Sequence, residues 1–143
     1  MRVPLVGCAS HRLNLAVQAF YKVPEREELV TKVDMLMKEL RTLKNSSKLR
    51  KKTHFHSERR NVTRWGSTHN MLKKYCKIQG VLSSCNFDED TVAKIPIPRE
   101  TQAITELVKS GIKIESVSLA LQDEDVSLYQ ARKLFDSKSL LYY

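Results

Sequence analysis

The stretch LVTKVDMLMKELRTL, residues 29–43, gives the clearest indication of the fold. Five apolar residues recur in it at alternating intervals of four and three, which places them on one face of an α-helix. They are Leu29, Val33, Leu36, Leu40 and Leu43. Lys38, Arg41 and Lys44 lie in the last turns, where the negative end of the helix dipole favours cations. Residues 45–47, Asn-Ser-Ser, are expected to end this helix, whose seam faces a core or a partner helix.

Further helical patterns cover most of the chain on both sides of this stretch. A first helix, capped by Ser10, carries apolar residues up to Phe20, and Pro24 opens the helix just described. A third helix is capped by Ser67 or Thr68 and runs to about Asn86. Two more helices are predicted, one over residues 99–122 and one capped by Ser127. The sequence IPIP predicts a loop break near residues 87–98, because two prolines so close together forbid a regular helix. Gly111 is a weak point of the helix that follows. The fold is therefore predicted to be mainly α.

The N-terminus carries a different pattern. The sequence VPLVGC, residues 3–8, is a short apolar run that predicts a buried strand. A lone strand cannot pair with itself, so its sheet partners are expected to be absent or to lie upstream of the chain. The predicted architecture is a short strand followed by helices.

Positive charge is concentrated in the middle of the chain, although the formal net charge of the whole is only +9. Residues 38–77 contain thirteen Lys or Arg and two Glu, a net charge of +11, whereas the remainder carries a net charge of −2. A basic block in an otherwise balanced chain favours a polyanionic partner, nucleic acid before a membrane surface. A solvated basic face without a specific partner is the alternative.

Cys8 and His11, spaced C-x-x-H, are the first candidates for metal or thiol chemistry. On a helix they point the same way and can share a metal or form a thiolate–imidazole pair. Zinc needs two more ligands, and the nearest candidates, His54 and His56, lack standard spacing. The acidic residues fall in turns or in the first turn of a helix, and no glycine-rich phosphate loop occurs. The sequence shows no active site and predicts no metal site.

The basic segment around Trp65, the only tryptophan, is best suited to bind nucleic acid. Arg59, Arg60 and Arg64 are predicted to contact phosphates, and Trp65 offers a stacking face worth about 1–3 kcal/mol per base. The lysines assigned to the same DNA-binding surface are Lys51, Lys52, Lys73 and Lys74. Aromatic residues among basic ones suit single-stranded or distorted nucleic acid better than a regular duplex. Alternatively, Trp65 packs under the loop as an anchor while its arginines face water.

Two motifs together resemble the transposases of the hAT (hobo–Activator) superfamily and domesticated proteins derived from them. The sequence VGCASHRLNLAV matches the family pattern C-x-x-H-x-x-x-L through Cys8, His11 and Leu15. The sequence VTRWGSTHNMLKK matches the pattern T-R-W-x-S-T-x-x-M-L through Thr63, Arg64, Trp65, Ser67, Thr68, Met71 and Leu72. The resemblance covers residues 6–77.

The resemblance implies an RNase H-like fold that carries a large, all-helical insertion domain. Residues 1–11 would then be the end of a strand of that fold, and residues 12–143 part of the insertion domain. The family's three metal-binding catalytic acids would lie outside the chain, two upstream of Met1 and one downstream of Tyr143. No catalysis is therefore expected from this chain, and divalent metal is expected only in a full-length family enzyme.

The resemblance also implies roles for individual residues. Trp65 would stack on a flipped base near the cleavage site, and His11 and Arg64 would lie near the scissile phosphate. Gly66 stands where the family more often has a larger polar residue, a departure that puts the rigidity of the loop holding Trp65 in doubt.

The sequence is thus interpreted as a non-catalytic fragment of a hAT-like DNA transposase that binds DNA through its basic segment and a stacking tryptophan. DNA is the expected partner, and no cofactor is expected. A nuclear location follows from the resemblance and from the cluster KLRKK at residues 48–52. No apolar run approaches the roughly 20 residues of a membrane span, so no membrane partner is predicted.

Two other classes of function stay open at this point. The first is a helical protein-interaction module, in which the seam of residues 29–43 pairs with a partner helix or with a second copy in a homo-oligomer. The second is a small metal-dependent or thiol enzyme that uses Cys8 and His11.

Overall fold

The computed structural model describes residues 9–61, 64–121 and 133 of the chain. Within these residues the chain forms α-helices and no β-strand, which confirms the prediction of a mainly α fold. The helices are α1 (Ala9–Tyr21), α2 (Pro24–Leu40), α3 (Leu43–Arg50), α4 (Trp65–Leu82), α5 (Glu89–Ala93) and α6 (Pro98–Leu121). The strand predicted at residues 3–8 and the helix predicted after Ser127 lie outside the described residues.

Helix α2 touches each of the other five helices and supplies the centre of the core. Val33, Leu36 and Leu40 are fully buried, and Leu29 is half-buried, so most of the predicted seam is covered within the chain. Each such side chain contributes about 1.5–3 kcal/mol when it leaves water. Pro24 occupies the first position of α2 as predicted, because its missing N–H falls where no intrahelical bond is made.

The end of α2 differs from the prediction. The helix stops at Leu40, and a new helix, α3, begins at Leu43, which is 89% exposed and does not join the seam. The physical reason is Asn45, whose buried side-chain amide donates to the carbonyl of Glu39 (3.1 Å) and to Oγ1 of Thr91 (3.2 Å). The same Glu39 carbonyl also accepts from the backbone N–H (3.1 Å) and the hydroxyl (2.8 Å) of Thr42, and the bond from Asn45 to Thr91 ties this turn to α5. Residues 45–47 therefore lie inside α3 instead of ending the earlier helix.

Helices α4 and α6 pack along each other and form the other half of the core. The buried apolar residues of α4 are the predicted ones: Met71, Leu72, Tyr75, Ile78 and Leu82. Those predicted for α6 are also buried: Ile104, Leu107, Val108 and Val117. The hydroxyls of Tyr75 and Thr101 lie 2.7 Å apart, so the polar end of this buried ring has a hydrogen-bond partner.

The predicted N-caps of α1 and α4 are wrong. Ser10 lies inside α1, which begins at Ala9, and α4 begins at Trp65, ahead of both Ser67 and Thr68. The residue before α4 is Arg64, which makes no side-chain cap. The hydroxyl of Ser67 instead accepts a hydrogen bond from the backbone N–H of Asn61, so it holds the preceding loop against the helix.

The predicted break at residues 87–98 contains a short helix, α5. Asp88 is its N-cap, and Oδ1 of this residue accepts a bond from the backbone N–H of Thr91 at 3.0 Å. After α5 the chain turns through the proline-containing sequence and α6 begins at Pro98. The predicted loop is thus present at both ends of this segment, but the short helix between them was not predicted.

Gly111 lies where α6 packs against His69 of α4. A Cβ built on it would lie 2.2 Å from Nδ1 of His69, whose side chain is 1% exposed. Only a residue without a side chain leaves room for this imidazole. The sequence presents this glycine as a weak point of a helix, but in the structure it leaves the space that a buried histidine occupies.

Candidate nucleic-acid interface

Phe55 joins the basic loop after α3 to the basic face of α4. Its half-buried ring packs against the core, and the ring of His54 lies 4.1 Å away, centroid to centroid. From α4, Nζ of Lys77 and Nζ of Lys74 lie 5.1 Å and 5.7 Å from the centroid of the Phe55 ring. At these distances an ammonium group is attracted to the face of an aromatic ring. Phe55 thus places the basic loop beside cations of α4.

Beside Phe55 lies an open cavity of about 430 Å³ between the end of α2, α3 and the loop. Leu40 and Leu49, which are 0% and 1% exposed, form its base together with Phe55. We call this recess the basic cavity, because most of the charged residues that line it are cationic. The cations are Arg41, Arg50 and Arg59, and His56 and one acid, Glu58, also line the recess.

We define the basic surface as the basic residues of the basic cavity and those next to it along the chain or around Phe55. They are Arg41, Arg50, Lys51, Lys52, His56, Arg59, Lys74 and Lys77. Those that form no ion pair within the described residues are Arg41, Arg50, Lys51, Lys52, Lys74 and Lys77. Their positive charge is therefore not cancelled locally.

Arg59 differs from these residues because a carboxylate holds it. Its Nε and Nη2 donate to the two carboxylate oxygens of Asp34 at 3.1 Å and 2.9 Å, a bidentate arrangement. The hydrogen bonds and the charge of Asp34 raise the pKa of the Arg59 guanidinium above its usual range. Arg59 therefore fastens the loop to α2, and a phosphate would compete with Asp34 for it.

Five lysines on other parts of the molecule are each bound to a carboxylate. The pairs are Lys32–Glu100 (2.7 Å), Lys94–Glu39 (2.9 Å), Lys109–Glu106 (3.0 Å), Lys73–Glu115 (3.2 Å) and Lys44–Asp88 (3.6 Å). The cross-element pairs join α2 to α6, α5 to α2, α4 to α6 and α3 to the start of α5. These lysines contribute little to the positive electrostatic potential around the protein, because an opposite charge lies beside each of them.

The structure brings some of the predicted DNA-binding residues together and separates others. Lys51, Lys52, Lys74 and Arg59 belong to the basic surface, whereas Lys73 points to Glu115 of α6. Arg64 is exposed immediately before α4, and Arg60 is half-buried in the loop. The side chains of His11 and Trp65 lie outside what the structure describes, so both alternatives for Trp65 stay predictions.

Sequence reasoning missed Arg41 as a member of the surface. The helix dipole already explains a cation at the end of α2, so the sequence gives no reason to assign this arginine a further role. Only the turn between α2 and α3, which Asn45 stabilises, brings Arg41 and Arg50 to one cavity. Phe55 was not missed, since the sequence already singles it out, with His54 and His56, as an aromatic residue among the lysines of the basic segment.

The cysteines of the described region are free thiols in apolar surroundings. Cys76 is half-buried and Cys85 is buried, and burial raises the pKa of both thiols. At Cys85 the charges of Lys52 and Lys48 oppose this effect. The described residues contain no group of three or more His, Cys, Asp or Glu side chains placed to hold a metal ion. Cys8, the candidate thiol of the sequence, lies outside these residues.

The comparisons with known proteins add no relative. No family model matches the chain, no curated protein matches it, and no solved structure matches it. The resemblance to hAT transposases therefore rests on the two sequence motifs. None of the described helices is long and apolar enough to cross a membrane.

Proposed function

We propose that this chain binds DNA through the basic surface, as a non-catalytic part of the helical insertion domain of a hAT-type transposase or a protein derived from one. The observation that carries the DNA-binding proposal is the concentration of cations without local acid partners around Phe55. A surface of this kind attracts a polyanion and releases the counterions that the polyanion holds.

The family part of the proposal rests on the motifs. The T-R-W motif falls at the start of α4, and Arg64 is exposed there. A full-length transposase would supply the metal-binding carboxylates from outside residues 1–143, and its DNA would be found in the nucleus. In this chain the expected role is therefore to hold DNA and to leave strand cleavage to the rest of the protein.

The alternative function, a protein-interaction module, loses its main support. It needed the seam of residues 29–43 to be open to a partner helix. Val33, Leu36 and Leu40 are instead 0% exposed, because the other helices of the same chain cover them. The remaining residue of the seam that is strongly exposed, Leu43, lies in a different helix.

The test is a charge reversal on the basic surface with a matched control. The variant carries Arg50→Glu, Lys51→Glu and Lys52→Glu, and the control carries Lys22→Glu, Arg99→Glu and Lys113→Glu, which are exposed residues of other elements. Both have the same net charge. Binding to a fluorescently labelled duplex is measured by anisotropy at several salt concentrations.

We expect the affinity of the surface variant to fall by about 100-fold or more at low salt, because a phosphate that the protein no longer neutralises keeps its counterion. The slope of log affinity against log salt should also become shallower by about 0.9 for each such phosphate. The affinity of the control should fall much less. Equal decreases in the two variants would mean that net charge alone governs binding and that this surface is not the site.

A further inference from the structure

The basic cavity has a chemical feature that phosphate binding does not use, namely an apolar base. Leu40 and Leu49 belong to the hydrophobic core, yet both line an open recess together with the ring of Phe55. Both leucines are at most 1% exposed, so the half-buried ring of Phe55 is the part of this base that a flat apolar group can reach. A duplex keeps such groups, the faces of its bases, stacked inside.

The rim of the same cavity suits a phosphate. Arg41 and Arg50 are exposed on it, and guanidinium groups bind phosphate oxygens in pairs. Ser46 and Ser57 add hydroxyl groups to the lining. An apolar base below a cationic rim matches the two halves of a nucleotide, a base and its phosphate.

The size and the surroundings of the cavity agree with this match. Its volume of about 430 Å³ falls within the roughly 300–1,000 Å³ of small-ligand pockets. A second recess of about 380 Å³ adjoins it and shares Ser46 and Arg50 with it. Leu43, which is 89% exposed, and Lys51 line this second recess, so an apolar group and a cation are again side by side. A strand that leaves the first recess can therefore continue into the second.

We propose that the basic cavity holds one unstacked nucleotide of a single DNA strand, its base against the ring of Phe55 and its phosphate on Arg41 and Arg50. The inference rests on the proposed DNA binding and adds a preference to it. Bases that are already unpaired reach the cavity directly, whereas a duplex must first unstack one. The chain therefore prefers single-stranded DNA to duplex DNA of the same length.

The test fills the cavity without changing charge. In Ser46→Leu a larger apolar side chain occupies the lining, and in Ser57→Leu the same change is made from the loop side. The matched control is Ser116→Leu on α6, because the hydroxyls of Ser46 and Ser116 both donate to a carbonyl of the preceding helical turn. Circular dichroism establishes whether each variant is folded. If one cavity variant does not fold, the other still provides the test.

The probes are three labelled DNAs of equal length: oligothymidylate, the same backbone with abasic residues in place of the thymidines, and a duplex. For the original chain and the control we expect oligothymidylate to bind about 5- to 150-fold more tightly than the abasic strand, the range of one stacked base. In the cavity variants this advantage should disappear, while affinity for the abasic strand and the duplex stays the same.

The outcomes separate this inference from the proposal on which it rests. Equal binding of oligothymidylate and the abasic strand by the original chain, with salt-dependent duplex binding intact, overturns the cavity and leaves DNA binding in place. A thymidine advantage that survives in both folded cavity variants also overturns it, since the base then lies elsewhere. Binding of none of the three DNAs at low salt overturns both.

Discussion

The basic residues of this chain fall into two regions that use the same side chains differently. Around Phe55, lysines and arginines lie beside one another and beside aromatic rings. Along the interfaces among α2, α4, α5 and α6, lysines lie beside carboxylates at 2.7–3.2 Å. The composition alone does not distinguish the two groups of basic residues, because both add to the positive net charge of the chain. The difference is that six cations of the first region form no ion pair within the described residues, whereas the lysines of the second are paired with carboxylates of the fold.

The two regions also contribute differently to stability. An ion pair at the surface contributes about 0–1 kcal/mol, so the paired lysines fix the register of neighbouring helices more than they stabilise them. The unpaired cations of the basic surface repel one another, although Arg59 is held by Asp34 and two lysines of α4 lie over the ring of Phe55. Substitutions should therefore affect stability in one region and DNA affinity in the other, and the following predictions test this separation.

The largest effect on stability is expected at the interface between α4 and α6. Gly111→Ala should lower the free energy of unfolding by about 1–3 kcal/mol, because the added Cβ would overlap the ring of His69. Gly80→Ala is the matched control, since a Cβ there meets nothing within 4 Å and alanine favours the helix by about 0.5–1 kcal/mol. Urea denaturation measures both.

DNA affinity should not change in either glycine variant as long as the protein is folded. If Gly111→Ala proves as stable as the original chain, α4 and α6 do not approach as closely as described. A second replacement, His69→Ala, should restore part of the stability of the Gly111→Ala variant because it removes the overlapping ring.

The next effect is a dependence of stability on pH. Burial, and then the charge of Lys73, lowers the pKa of His69 below its ordinary value of 6.5, while Glu115 opposes the shift. The folded state therefore prefers the neutral imidazole. His69 makes its full contribution to stability above the pKa that this histidine has in the unfolded chain. The contribution is lost as the pH drops from that value toward the lower pKa of the folded state. The slope approaches at most about 1.4 kcal/mol per pH unit for one group.

The measurement is the free energy of unfolding at about pH 7.5 and at about pH 5.5, the interval in which histidine titrates. His69→Gln should flatten the dependence, whereas His56→Gln, at an exposed position, should preserve it. Asp88 and Glu100, whose pKa values are lowered mainly by hydrogen bonds to Thr91 and Lys32, lose their contribution only at more acidic pH. An unchanged slope in His69→Gln would assign the pH effect to other groups.

The smallest effects compare one cation from each region. Lys32→Ala removes the pair with Glu100 and should lower the free energy of unfolding by less than about 1 kcal/mol, with DNA affinity unchanged. Arg50→Ala should change stability by no more than about 0.5 kcal/mol, as a surface substitution, but weaken DNA binding. A reversed outcome, with Lys32 needed for DNA and Arg50 for stability, would break the distinction between the two regions.

Most of the helices could be predicted from the sequence because their apolar periodicity is local. The buried residues of α4 and α6 follow directly from spacing. The end of α2 could not be predicted, because Asn45 is held by Thr91, a residue 46 positions away. Arg41 follows this end of α2 directly and lines the basic cavity, so the cavity could not be predicted either.

The residues of the T-R-W motif do not share this predictive success. The seven positions of the T-R-W motif include buried ones, Thr68, Met71 and Leu72, which the packing of α4 alone explains. Arg64 is the described residue of the motif that is exposed and cationic. The transposase resemblance therefore stays a prediction, and the basic surface supports DNA binding independently of it.

The most direct test of the central claim is the affinity of the unaltered chain for duplex DNA as a function of salt. If the six unpaired cations of the basic surface bind phosphates, log affinity should fall linearly with log salt, with a slope of up to about −5. Binding that is absent at low salt, or that salt does not weaken, would contradict the claim and make the basic surface a solvated face.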